Sequence, residues 1–222
     1  HYPTIHQDWL LDPELTSDLI LLSGCADSWL SCTLAGGKSL GDRLVDTVSL
    51  EDQLSELLRA GKDEAYDRLV YTMHERFQRA TSLVNRFREV YGDRYYLEVQ
   101  LFDNYARTRY LNQKIEEIHQ ETGIPIVATA DVHYPNPEDW EVQRLSNAIQ
   151  WKKSVDDLAK NRDYEAGKTA YPLSDKEVVR RLRATGLADN TIKAAILNTR
   201  EVADRCNVTL TKTSPVRYSE SD

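Results

Sequence analysis

The sequence predicts an α/β fold with parallel strands, on two observations: short apolar runs bounded by glycine or turn residues, and long stretches of helical periodicity between them. Asp18-Leu-Ile-Leu-Leu-Ser-Gly24 is a continuous apolar run closed by glycine, the pattern of a strand buried on both faces. Arg94-Tyr-Tyr-Leu-Glu-Val-Gln-Leu101 is entered through the turn signal Gly92-Asp93. Ile124-Pro-Ile-Val-Ala-Thr129 follows Gly123, which stands where a helix is expected to stop. Between these runs, residues 62–90 carry Leu69, Met73, Phe77, Leu83, Phe87 and Val90 at mostly three- to four-residue spacing, and residues 105–120 carry Leu111, Ile115 and Ile118. Strands alternating with helices imply βα units with right-handed crossovers.

The rest reads as helix with two irregular stretches. Residues 137–150 open with Pro137, Glu138 and Asp139, which suits a helix N-terminus. Ser174-Asp-Lys-Glu177 is a capping-box pattern for a helix to about residue 185, and residues 190–206 place Ile192, Ala195, Ile196, Val202 and Ala203 on one side. Residues 36–60 read as a surface insertion, with Ser49-Leu-Glu-Asp52 capping a short helix; residues 152–170 read as a loop or weak helix. Residues 1–210 are expected to form one domain portion, and residues 211–222 a polar tail or linker. The chain opens His1-Tyr-Pro without methionine, and three strands are too few for a closed barrel, so more of the domain is expected upstream.

Composition narrows the class. In 222 residues, 41% hydrophobic content supports an ordinary core. A net charge of −8 argues against a surface that wraps nucleic acid non-specifically, since phosphate neutralisation needs excess Lys and Arg. Cys25, Cys32 and Cys206 are odd in number and lack disulfide-framework spacing, which points to a reducing, cytoplasmic location. Neither a membrane-length apolar run nor a signal peptide is present.

Reactive groups in parallel βα architectures sit just beyond the C-terminal ends of strands. The first strand delivers Cys25 there, and the third delivers Asp131 and His133, which project to the same side in an extended segment. Thiolate, carboxylate and imidazole together suit zinc, or iron or manganese if further ligands join. Each also has a plainer reading: a Cys after Gly is commonly a small buried residue, and Asp-x-His is common after strands. Glu98 alternates with Leu97 and Val99 and could face the site, although a solvent- or helix-facing position is the stronger expectation. His74 and His119 are expected at the surface, Cys32 and Cys206 in structural roles, and Trp9, Trp29, Trp140 and Trp151 in packing. Arg180-Arg181 and Lys152-Lys153 are expected on a solvated face.

Four segments carry a family resemblance: Ile20-Leu-Leu-Ser-Gly-Cys25, Tyr91-Gly-Asp-Arg-Tyr-Tyr-Leu-Glu-Val-Gln100, Ile124-Pro-Ile-Val-Ala-Thr-Ala-Asp-Val-His-Tyr134 and Asn198-Thr-Arg-Glu-Val-Ala-Asp-Arg-Cys-Asn-Val208. Their order resembles the PHP domain of the bacterial-type DNA polymerase III alpha subunit. The resemblance implies the C-terminal part of a distorted seven-stranded β/α barrel with additional helices, around a cluster of up to three divalent metals. Cys25, Asp131 and His133 would be the last three ligands, Asp131 and His133 also serving catalysis, with the remaining ligands upstream. It implies a parent DNA-directed DNA polymerase with metal-dependent 3′–5′ exonuclease proofreading, acting on DNA with other polymerase domains and replisome subunits. The alternatives are a catalytically silent partner-binding module and a free-standing PHP phosphoesterase. Ala130 in place of the family's usual Asn, and a longer stretch between Cys25 and Glu98, point to a divergent member such as a phage or secondary polymerase.

Overall fold

In the computed structural model, residues 6–36, 50–159, 167–209 and 212 are described. Three parallel strands, β1 (Leu21–Leu22), β2 (Tyr95–Gln100) and β3 (Ile126–Thr129), form a sheet in the order β1-β2-β3. Leu21 pairs with Tyr95, and Leu97 to Gln100 pair with Ile126 to Thr129. The sheet is open rather than a closed barrel.

All six residues of β2 are buried, but its two faces differ. Tyr95, Leu97 and Val99 join Ile126 and Ala128 in the main core, against Leu83, Val84 and Phe87 of α5 (Asp63–Tyr91) and Leu111, Ile115 and Ile118 of α6 (Ala106–Thr122). By strand alternation, Tyr96, Glu98 and Gln100 lie on the opposite face, with Thr129 beside Gln100 in register. The expected seven-residue first strand contracts to two residues because Gly24 turns the chain at φ 85° and Leu21 and Leu22 are only half-buried.

The helices follow the periodicity closely. α6 stops at Gly123, left-handed at φ 70°, whose N–H bonds the His119 carbonyl at 2.8 Å. His119 is half-buried rather than a free surface residue, its Nδ1 2.7 Å from the Ile124 carbonyl across the same turn. Two short helices, α1 (Gln7–Leu10) and α2 (Pro13–Thr16), were not expected; Asp12 caps α2, with Pro13 in its first turn. α3 (Trp29–Ala35) is capped by Ser28 and buries Cys32. α4 (Leu50–Arg59), the helix expected in the insertion, packs on α5; residues 37–49, with the expected Ser49 cap, lie outside the described residues.

A single-turn 3₁₀ segment leads into α7 (Trp140–Trp151), followed by α8 (Val155–Ala159), α9 (Asp175–Ala184) with its Ser174 cap, and α10 (Asp189–Arg205). Residues 160–166 and, apart from Lys212, the expected tail lie outside the described residues. Three expectations about side chains change. Trp140 is buried, whereas Trp9, Trp29 and Trp151 are substantially exposed, Trp29 resting edge-on against Phe87. Cys206 is exposed at the end of α10 because the helix face turns to solvent there. Arg181 is buried rather than solvated, since Glu177 and Asp103 offer it carboxylates at 2.9 and 3.8 Å.

α10 also closes the outer edge of β3. The Asn198 Nδ2 donates to the Ile126 carbonyl at 2.9 Å, and the Ala128 N–H donates to the Thr199 Oγ1 at 3.1 Å. The same hydroxyl lies 3.0 Å from the Ala128 carbonyl. Side chains thus occupy positions a further strand would fill. Thr199→Val leaves the Ala128 N–H without its acceptor and is expected to cost about 1–3 kcal/mol in chemical denaturation.

Candidate metal centre

The C-terminal ends of the three strands bring most of the candidate chemistry to one region. At β1, Gly24 combines its positive φ with a close approach: a Cβ there would lie 2.8 Å from Ser28 Cβ. Only glycine fits, and the turn it makes presents Cys25. The Cys25 carbonyl accepts from the Ser28 N–H at 2.9 Å and the Ser31 hydroxyl at 2.8 Å. Ala26 is held on both sides: its N–H donates to Gln100 Oε1 at 3.2 Å, and its carbonyl accepts from the buried Arg107 at 3.0 and 3.1 Å.

At β3, Thr129 donates its hydroxyl to Glu98 Oε1 at 2.6 Å. Asp131 follows at φ 48°, a left-handed conformation that costs a non-glycine residue about 1 kcal/mol and is least costly for Asp and Asn. His133 places Nδ1 2.5 Å from the Asp131 carbonyl. A carbonyl can only accept, so Nδ1 carries the proton and the Nε2 lone pair stays open. The His133 and Tyr134 N–H groups both donate to the Ala170 carbonyl, at 2.8 and 3.3 Å. Tyr134 packs with Trp140 and Tyr171 around Ala170, so the stretch read as loop or weak helix returns to brace the Asp-x-His segment.

The charges acting on Cys25 and Glu98 share one sign, with the Arg107 guanidinium taken up by the Ala26, Ala35 and Gly36 carbonyls. Cys25 is exposed as a residue, yet partial desolvation pushes its thiol up, the Asp27 backbone opposes this, and the nearby charges of Asp131, Asp27 and Glu98 push it further up. Glu98, only 9% exposed, is raised first by burial and then by Asp131, against the lowering effects of the Thr129 hydroxyl and the Gly24 N–H. None of the charges acting on Cys25 or Glu98 is positive. Glu98 therefore faces inward, against the stronger expectation, because strand alternation puts it on the polar face of β2, where the Thr129 hydroxyl reaches its carboxylate.

In kind, these donors fit a divalent cation: a thiol, carboxylates that form no ion pair with Lys or Arg among the described residues, and an imidazole with Nε2 open. In number they do not complete a site. Among the described residues, no three His, Cys, Asp or Glu side chains come together closely enough to hold a metal ion. Cys25 and Asp131 are near enough to influence one another, while His133 is exposed at the rim. Sequence reading passed over Gln100, Arg107 and Ala170, whose roles arise from contacts across long sequence separations; alternation in β2 was the one signal available for Gln100.

Parallel strands whose ends gather such groups define the class, an α/β segment of the kind that carries its chemistry at strand ends. Comparison with known proteins narrows it. No protein-family model matches the chain. It is 29% identical over 208 residues, 94% of its length, to DNA polymerase III subunit alpha of Escherichia coli (strain K12). It is 28% identical over 130 residues, 59% of its length, to the subunit of the same name from Helicobacter pylori (strain 26695), and 32% identical over 89 residues, 40% of its length, to that of Aquifex aeolicus. The chain is thus similar over most of its length to a region of proteins named DNA polymerase III subunit alpha. It spans 14%, 10% and 8% of those relatives respectively.

Two outcomes test this geometry. Gly24→Ala is expected to destabilise the fold by about 1–3 kcal/mol in chemical denaturation, from the left-handed backbone and the Ser28 approach together. For Glu98, a folded-state pKa above the usual 4.5 means that its stabilisation is complete below the unfolded value and is lost as pH rises through the folded one. In metal-stripped protein, Glu98→Gln is therefore expected to be more stable than wild type near pH 8, with the difference vanishing near pH 4.

Proposed function

We propose that this chain is the C-terminal part of a PHP-type domain in a DNA polymerase III alpha subunit, and that it supplies one side of a divalent metal cluster that hydrolyses the 3′ end of DNA. The observation that carries the proposal is the placement of Cys25 and Asp131 after the same ends of the two outer strands, within electrostatic reach of each other, in a chain homologous to those subunits. The open sheet supports membership of a larger barrel: α10 occupies the outer edge of β3, so further strands would join beside β1.

Cys25, Asp131 and His133 would hold the metal, zinc first and manganese or iron otherwise, with ligands from the rest of the parent protein. When bound, the metal supplies positive charge against the phosphodiester and acidifies a water for attack. The chain's own part is positional. The Asp131 carbonyl fixes the His133 tautomer so that Nε2 is the coordinating atom, and the Ser28, Ser31, Gln100 and Arg107 contacts hold the Cys25 turn. DNA, the other polymerase domains and replisome subunits are the partners this reading implies, in the cytoplasm; polymerisation belongs to the parent protein.

The test is metal analysis of the full-length protein together with a 3′–5′ exonuclease assay of wild type and Asp131→Asn. Asn tolerates the left-handed backbone, so melting should change by no more than about 0.5 kcal/mol while nuclease activity falls about 100-fold or more. Absence of bound metal with unchanged activity would sink the proposal. A second reading, a silent module that braces the polymerase and binds partners, is favoured by the absence of a three-ligand group among the described residues. It requires that a chelator lower the melting temperature of a protein with no nuclease activity.

A further inference from the structure

α7 turns its apolar stripe to solvent. Val142, Leu145 and Ile149 stand three and four positions apart, which lines them up along one side of the helix, and they are 66%, 54% and 72% exposed. The side turned to the protein holds Trp140 and Ala148, both buried, with half-buried Asn147 and Arg144, whose Nε is buried. A surface helix ordinarily places its apolar stripe inward and its polar residues outward, so burial and polarity run against each other here. Trp140 accounts for the orientation: its ring packs 6.0 Å from that of Tyr134 and fixes which side of α7 meets the fold.

We infer that this stripe is an interface on which an apolar surface from another domain of the same polypeptide docks. Aligned Val, Leu and Ile side chains on an exposed helix are one half of a helix-in-groove or helix–helix contact. Charge excludes an anionic partner. The exposed residues of α7 before Trp151 are Glu141, Val142, Leu145, Ser146, Ile149 and Gln150, with no Lys or Arg among them. Lys152-Lys153 beyond the helix is a pair, short of the cluster of about four to eight that a lipid surface or nucleic acid calls for. Size argues against a second copy, since stable association of separate molecules takes roughly 20–30 residues a side. Within one polypeptide the connecting chain supplies effective concentration, and a small apolar contact suffices. The chain matches 94% of its own length to only 14% of the Escherichia coli subunit, so most of such a protein lies outside the fold described above. Trp140 opens α7 and packs on Tyr134, the residue after His133, so a domain seated on the stripe stands next to the segment that carries Asp131 and His133.

This inference rests on the reading of the chain as part of a DNA polymerase III alpha subunit, and the experiment separates the two. In the full-length protein, V142C, L145C and I149C are made singly, and their labelling by a maleimide is followed by peptide mass spectrometry against the same protein in denaturant. A docked stripe should label at least about 30-fold more slowly than in denaturant, and any smaller protection overturns the inference. A photoreactive benzoylphenylalanine in place of Ile149 then identifies the occupant. The expected product has the mass of one molecule and joins α7 to a peptide outside residues 1–222. Joining only to residues 1–222 of the same molecule overturns the inference, as does a product of twice the mass, which would make the occupant a second copy. A gene encoding no domain beyond this chain would overturn the subunit reading and the inference together, whereas a full-length polymerase whose stripe labels freely overturns the inference alone.

Discussion

β2 is hydrogen-bonded to a parallel strand on each side and buried along its whole length, and the other elements take their positions from it. Parallel neighbours cannot be joined by a tight turn, so α5 and α6 must cross back over the sheet, and each does so with its apolar stripe on the face carrying Leu97 and Val99. That leaves the other face for Tyr96, Glu98 and Gln100. The division of one strand into an apolar and a polar side thus produces both the core and the candidate site.

Polar groups on and around the sheet are satisfied by side chains that imitate a strand. Asn112 accepts from the Gln100 N–H at 3.1 Å and donates to its carbonyl at 2.8 Å, ending β2 without exposing it. Asn198 and Thr199 serve β3 in the same way. Arg107 collects the carbonyls of Ala26, Ala35 and Gly36, fixing the turn after Cys25 and the end of α3 with one guanidinium. Buried amides and carbonyls demand partners, and here the partners also hold the strand ends in place.

The strand ends store unfavourable free energy. Asp131 sits at positive φ, Glu98 is buried, and the charges acting on Glu98 and on the thiol of Cys25 are negative. An ordinary core would relieve each of these by substitution. Together they make sense for a region whose charge balance is completed by a bound cation, and that is the physical ground on which the proposed half-site stands.

Apolar runs and three- to four-residue spacing determined by themselves that this is a parallel α/β protein, because burial periodicity and glycine stops are local properties: α5, α6, α9 and α10 lie within a few residues of where they were expected. Cys25, Asp131 and His133 were legible for the same reason, as residues placed just after strand ends. Tertiary structure alone decided the rest. The inward direction of Glu98 depends on the Thr129 hydroxyl that reaches it from β3, the burial of Arg181 depends on Asp103 across the fold, and the support of His133 by Ala170 depends on a loop without any period of its own. Each of these is a contact between residues distant in sequence, and pattern along a chain carries no information about which distant partner will arrive.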